Sequence, residues 1–243
     1  MKPYQTLLFD VDDTLLDFGA AEKAALRKLL EDLGLPFNRD VFTRYQSINQ
    51  GLWRSFEEGK LSRDEVIHTR FSLFLRTYEM DVDGAAMERR YRRYLEEGHQ
   101  LVDGAMELIA ALHRQFDLYI VTNGVSRTQH KRLHDSGLSP YFKQIFVSED
   151  TGYQKPMPEF FAYVFARIPQ FTAERALVIG DSLTADIKGG QQAGLDTCWF
   201  NPKGKQNENG IAPTYEIRQL AELFGILGVH QRLSSPESSS FSS

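Results

Sequence analysis

Cysteine is almost missing from these 243 residues: Cys198 stands alone, so an internal disulfide cannot form and nothing in the chain demands an oxidising compartment. It sits in the apolar run Thr197-Cys198-Trp199-Phe200, where a buried structural thiol is expected. Long apolar runs are absent too. None approaches the roughly 18–20 residues that a membrane helix needs. The short run after Met1-Lys2-Pro3-Tyr4 meets Asp10 too early for a secretory core and cleavage site. The chain reads as cytoplasmic, with no membrane partner.

A long basic block is absent as well. The formal net charge is −5, and the one local cluster, Arg89-Arg90-Tyr91-Arg92-Arg93, is flanked by Glu88, Glu96 and Glu97 at helical spacing. That pattern reads as a solvated helix face and argues against a nucleic-acid polymer as partner. No internal repeat of fixed period occurs. What remains, 42% hydrophobic and 25% charged residues, is the mixture of an ordinary globular protein. The length suits one large domain or a core carrying a smaller insertion.

Short apolar runs at 6–9, 118–122, 144–147, 177–180 and 197–200 each end in a polar or Gly-containing turn and are mostly followed by an amphipathic stretch. This rhythm predicts an α/β protein with a parallel sheet buried on both faces. Helices are predicted at 105–114, 127–136, 158–168, 185–193 and 216–224; Pro158 suits a first turn, and Gly137 and Gly194 suit helix ends. Residues 17–100 break the rhythm: helical periodicity dominates, with helices expected at 20–33, 42–56, 64–78 and 85–97. The division expected is therefore a core of 1–16 plus 101–230, a helical insertion of 17–100, and a Ser-rich, disordered tail at 234–243. The insertion's aromatic residues Trp53, Phe56, Phe71 and Phe74 are expected to pack its interior rather than stack on a ligand.

Four elements carry chemistry. Phe9-Asp10-Val11-Asp12-Asp13-Thr14 crowds three carboxylates at a strand exit, an arrangement that a hard divalent cation would neutralise. Thr122-Asn123-Gly124 leaves another strand with a hydroxyl and successive N–H groups suited to phosphate oxygens. Lys155, fixed ahead of Pro156, offers a positive charge for a phosphoryl transition state. Gly180-Asp181 ends a buried strand and is followed by Asp186 at a helix start, a pair able to hold and support a metal. Each piece alone also reads as a turn, a surface lysine or a helix cap. Together, on one parallel sheet, they point to a single site.

In this order the elements resemble the four motifs of the haloacid dehalogenase-like phosphatase superfamily, and the resemblance spans nearly the whole chain outside the serine-rich tail. It implies a Rossmann-like core with an inserted all-helical cap subdomain. It further implies Asp10 as covalent nucleophile and Asp12 as general acid and base. One Mg2+ would be held by Asp10, the Asp12 carbonyl and Asp181, with Asp186 orienting the metal's surroundings. Thr122, the Asn123 backbone and Lys155 would bind the phosphate. Dehalogenase members lack an aspartate at the position of Asp12, so its presence points to phosphate chemistry. The stretches 9–18 and 179–190 look most like bacterial nucleoside-monophosphate phosphatases, including pyrimidine-specific ones. The implied partner is a small phosphorylated metabolite, a nucleotide, with Phe18 and Asn49 as candidates for selectivity. Two alternatives stay open: a sugar-phosphate phosphatase or phosphomutase, although Thr14 stands where the mutases usually carry glycine, and a silent nucleotide-binding module.

Overall fold

Alternate residues of the first strand, β1 (Thr6–Phe9), enter different hydrophobic cores: Leu7 and Phe9 pack on one face of the sheet and Leu8 on the other. The same division holds in β2 (Asp117–Thr122) and β4 (Ala176–Gly180). A strand apolar on both sides needs cover on both sides, and that is the signature of a parallel sheet. In the computed structural model, which describes residues 3–207 and 210–229, β3 (Gln144–Val147), β5 (Asp196–Phe200) and β6 (Tyr215–Ile217) complete six strands, all paired in parallel. Their order is β3-β2-β1-β4-β5-β6. The chain builds outward from β1 to β3, then returns to the other side of β1 as β4. This is the doubly wound Rossmann arrangement, in which ligands bind where the winding reverses, beyond the C-terminal ends of β1 and β4.

Between β1 and β2 lie α1 (Phe18–Asp32), α2 (Arg39–Glu57), α3 (Arg63–Arg76), α4 (Gly84–Leu95) and α5 (Ala105–Leu112). The first four share a core of their own, with Leu26, Leu29, Tyr45, Phe71, Phe74 and Tyr91 at its centre. Each starts where a polar side chain caps it: Asp17, Asn38, Ser62 and Asp83 accept from backbone N–H groups of the first turn, and Ser62 with Glu65 forms a full capping box. These caps set the starts one to three residues earlier than apolar periodicity alone predicts. Helix α5, α6 (Ser126–Asp135) and α10 (Glu222–Leu227) cover one face of the sheet, while α8 (Pro158–Phe165) covers the other. Between them are the short turns α7 (Ser148–Thr151) and α9 (Gly189–Gln192).

Two of the expected helices are corrected. No helix spans 216–224: Tyr215–Ile217 is the edge strand β6 paired to β5, with Ile217 buried, and α10 begins only at Glu222. The Glu222 carboxylate accepts from the N–H groups of Arg218 and Gln219, which fixes the helix start beyond the strand. The helix expected at 185–193 is split into a π-turn over Leu183–Lys188 and α9, because Ile187 N–H reaches back five residues to the Ser182 carbonyl. The basic cluster is also less solvated than expected: Glu88 and Glu96 are buried, and Arg92 turns inward to bond Glu88 and Thr128. Cys198 is buried as expected, and no helix among the described residues is long and apolar enough to cross a membrane. The serine-rich 234–243 lies outside the described residues.

Candidate active site

Asp10 follows the last residue of β1 and Asp181 the last residue of β4, so the two carboxylates flank the point where the winding reverses. The Asp10 N–H still bonds the Ile179 carbonyl at 2.9 Å, which carries the sheet pairing one step past the strand end. At Asp13 the chain turns through a left-handed conformation, φ 56°, which aspartate tolerates better than most residues. Its carboxylate accepts from Gly19 N–H at the start of α1.

Lys155 joins the centre. Its Nζ donates to Asp10 Oδ1 at 2.8 Å, Asp186 Oδ1 at 2.6 Å and the Val121 carbonyl at 2.7 Å, so all three ammonium protons have acceptors. The lysine is 1% exposed, a depth tolerable only because it is fully paired. Asn123 fixes its backbone by a double clamp: Oδ1 accepts from Lys155 N–H at 2.9 Å and Nδ2 donates to its carbonyl at 2.8 Å. Sequence reasoning gave Asn123 a backbone role only; its side chain has this second use. Burial pulls the Lys155 ammonium toward its neutral form, but the two carboxylates outweigh it and hold the charge. Burial pushes the Asp10 carboxyl well above the usual carboxylate range, against the pull of Lys155.

Gly180 is where a side chain is impossible. A Cβ there would stand 2.1 Å from Asp186 Oδ2, so glycine is what lets Asp186 tuck against the end of β4. Asp186 is 1% exposed, with Oδ2 accepting from Ser182 N–H at 3.1 Å. Carboxylate oxygens of Asp10, Asp181 and Asp186 lie within 4.8 Å of one another. Oxygens bound to one Mg2+ ion at about 2.1 Å stand at most about 4 Å apart, so the Asp10 and Asp181 carboxylates, drawn together with Asp186 beside them, suit one hard cation. Burial lifts Asp181 to about 6, opposed by Lys205, whose Nζ is 3.2 Å from its Oδ2. Three carboxylates around one buried lysine leave an excess of negative charge, and a divalent cation offsets it.

A cavity of about 190 Å3 opens onto this cluster. Thr122 and Asn123 line it from the sheet, and Phe18, Trp53, Glu57 and Arg92 from the helices α1, α2 and α4. Phe56, Phe71 and Phe74 are buried as expected, whereas Trp53 reaches the cavity. Of the two selectivity candidates Phe18 lines the cavity, while Asn49 is buried and used up between Glu22 and Arg70. Sequence reasoning missed Glu57, Arg92, and the pair Gln129 and Arg132 that holds Asp12. The available signal was α6 itself, a helix with a single leucine whose buried face is Thr128, Gln129, Arg132 and Leu133.

Burial, then Asp186, raises the Glu57 carboxyl to about 7. Its folded value lies above its ordinary one, so the ionised form is the one that folding disfavours. The resulting destabilisation is absent at low pH, grows above about 4.5 and is complete above about 7. Glu57→Gln should therefore stabilise the metal-free protein by up to about 3 kcal/mol at pH 8 and by under about 1 kcal/mol at pH 5. Urea titrations at the two pH values in chelator measure this, and an equal gain at both would contradict it.

Residues 4–194 match the family described as haloacid dehalogenase-like hydrolase. YfnB of Bacillus subtilis, a HAD-hydrolase by name, is 66% identical over 96% of this chain and 100% of its own length. Its magnesium-bound crystal structure superposes with a TM-score of 0.90, at 68% identity, covering 93% of this chain and 99% of that one. The pyrimidine 5'-nucleotidase PynA of Streptococcus pneumoniae is 42% identical over 92% of this chain and 95% of its own length. The pyrimidine 5'-nucleotidase YjjG of Escherichia coli is 31% identical over 92% and 98%. With the doubly wound sheet and the carboxylate–lysine cluster at its switch point, these matches assign the chain to the haloacid dehalogenase-like hydrolase family.

Proposed function

We propose that the chain is a Mg2+-dependent phosphohydrolase that cleaves nucleoside 5'-monophosphates, pyrimidine nucleotides foremost, through a phosphoaspartyl intermediate on Asp10. The observation that carries this is the Lys155 ammonium shared by Asp10 and Asp186, with Asp181 beside them and Asp12 two residues from Asp10. The full-length similarity to two pyrimidine 5'-nucleotidases supports the substrate class.

An Asp10 oxygen attacks phosphorus as the bond from phosphorus to the leaving oxygen breaks, and Asp12 gives its proton to that oxygen. Asp12, now ionised, takes a proton from the water that next attacks phosphorus, which releases phosphate and restores Asp10. Lys155 offsets the charge on Asp10 and on the transferring group, and Thr122 with the Asn123 N–H holds phosphate oxygens. Mg2+, held by Asp10, the Asp12 carbonyl and Asp181 and supported by Asp186, would supply further positive charge to the phosphoryl oxygens. The helices α1–α4 act as the cap that shields this chemistry. Trp53 and Phe18 are the aromatic faces against which a base packs; such a contact is worth about 1–3 kcal/mol.

Phosphate release from a panel of nucleotides, sugar phosphates and cofactor precursors, with Mg2+ and with chelator, tests the reading. The expected outcome is Mg2+-dependent release with kcat/KM for UMP or dTMP at least about tenfold above any sugar phosphate, the factor that 1.4 kcal/mol of base contact supplies. Preference for a sugar phosphate would reject the substrate class. Full activity in chelator would reject the metal.

A further inference from the structure

Asp12 is gripped from both sides by one helix. Arg132 Nη1 donates to Asp12 Oδ1 at 2.5 Å, and Gln129 Nε2 donates to Oδ2 at 2.9 Å. Both side chains come from α6, three residues apart and so on one helix face. Arg132 Nη1 also donates to Gln129 Oε1 at 3.1 Å, which closes a triangle of three side chains. Gln129 Nε2 reaches Thr122 Oγ1 at 2.9 Å as well, so the same amide touches the residue assigned to phosphate. Room for it exists because position 124 is glycine: a Cβ there would stand 2.5 Å from Gln129 Cγ.

The second arm of Arg132 leaves the site. Nε donates to the Gly98 carbonyl at 2.6 Å, just past α4, where the chain returns from α1–α4 to the sheet. The guanidinium also lies 5.7 Å from the ring centre of Phe18, the first residue of α1, where the chain departs. One fully buried side chain thus touches both connections of the helical layer and the carboxylate between them. Burying an arginine for stability alone is poor design, because apolar residues of similar volume do as well or better.

We propose that Arg132, together with Gln129, positions Asp12: the pair fixes both carboxylate oxygens toward the leaving group and ties that orientation to the junction at Gly98 and Phe18. The inference rests on the reading of Asp12 as proton donor. It assigns no contact with substrate to Arg132.

Leaving-group dependence tests it. An alkyl leaving group such as a nucleoside 5'-oxygen needs the proton from Asp12, whereas the p-nitrophenolate of p-nitrophenyl phosphate leaves without it. kcat/KM reports only the steps through formation of the phosphoaspartyl group, so the later use of Asp12 as base does not enter. Arg132→Met should lower kcat/KM for UMP by roughly 10²-fold, the lower range for a general acid, and that for p-nitrophenyl phosphate at least about tenfold less. The loss on UMP should fall on kcat rather than KM. Gln129→Leu should show the same inequality with a smaller amplitude, and serves if Arg132→Met does not fold. Equal losses on both substrates in a folded variant would overturn the inference and leave a structural role only. Asp12→Asn separates the two levels. If it too loses both substrates equally, the reading of Asp12 as acid fails; if it alone discriminates, only the positioning role fails.

Discussion

Asp10→Asn is expected to lower Mg2+-dependent phosphate release by at least about 10⁴-fold, the scale on which removing a covalent nucleophile acts. The amide keeps the shape of the carboxylate but not its nucleophilicity. Lys155 would still have Asp186 and the Val121 carbonyl as acceptors, at 2.6 and 2.7 Å. The carboxyl lost is one whose ionised form burial disfavours. Folding should therefore survive, with a melting temperature equal to or above that of the parent chain. Phosphate release and thermal melting on one preparation give both answers. Near-parental turnover would remove Asp10 from the chemistry, and loss of activity with loss of fold would leave its role open to Asp10→Ser.

Lys155→Met carries the second large effect, and it strikes fold and function together. The ammonium is the shared partner of two carboxylates that are nearly inaccessible, Asp10 at 7% and Asp186 at 1% exposure. Removing one member of a buried charge cluster leaves the others uncompensated, a loss of about 3–5 kcal/mol. The Val121 carbonyl at the end of β2 loses its donor at the same stroke. Activity should fall by about 10²–10³-fold, the scale on which one preorganised positive group acts at a developing phosphoryl charge. Lys155→Arg is not expected to restore either property, because no single nitrogen of the planar guanidinium fork carries three protons to meet the three acceptors that surround Nζ. Urea unfolding and kcat/KM of the two variants measure this. A methionine variant as stable as the parent would show that the cluster does not depend on the lysine's charge.

The sheet was legible because its strands are apolar on both faces and short, so five of six stood out as runs such as Thr6–Phe9 and Gln144–Val147. β6 did not, because three residues at an edge, Tyr215–Ile217, show no full alternation, and Leu220, Leu223 and Phe224 just beyond them mimic a longer helix. The residues brought together at the site were legible only in combination: each alone also reads as a turn, a surface lysine or a helix cap, but aspartates leaving β1 and β4 with a lysine held ahead of a proline, all on one parallel sheet, point to a charged cleft. Their partners were not. Arg132 and Gln129 lie in α6 among His130, Lys131, His134 and Asp135, and in sequence that stretch is a polar surface helix. Only the turn of the helix shows which of its polar residues face inward. Arg92 was hidden in the same way, since four arginines in five positions read as solvated until Glu88 and Thr128 are seen beside one of them.

That contrast bears on selectivity. Asp10, Asp181 and Lys155 come from loops at the end of the sheet and Asp186 from the π-turn beside them, whereas Trp53, Glu57 and Arg92 come from α2 and α4. Variation in the helices can therefore alter which monoester fits without disturbing the bonds around Lys155.

Acid quench of the full chain during turnover with UMP and Mg2+, followed by borohydride reduction and peptide mass analysis, addresses the covalent step most directly. An acyl phosphate is reduced to the alcohol, so homoserine at position 10, formed only when substrate is present, is the expected result. Unmodified aspartate at position 10 under conditions that hydrolyse UMP, or homoserine at Asp12 or Asp181 instead, would contradict Asp10 as the residue that carries the phosphoryl group.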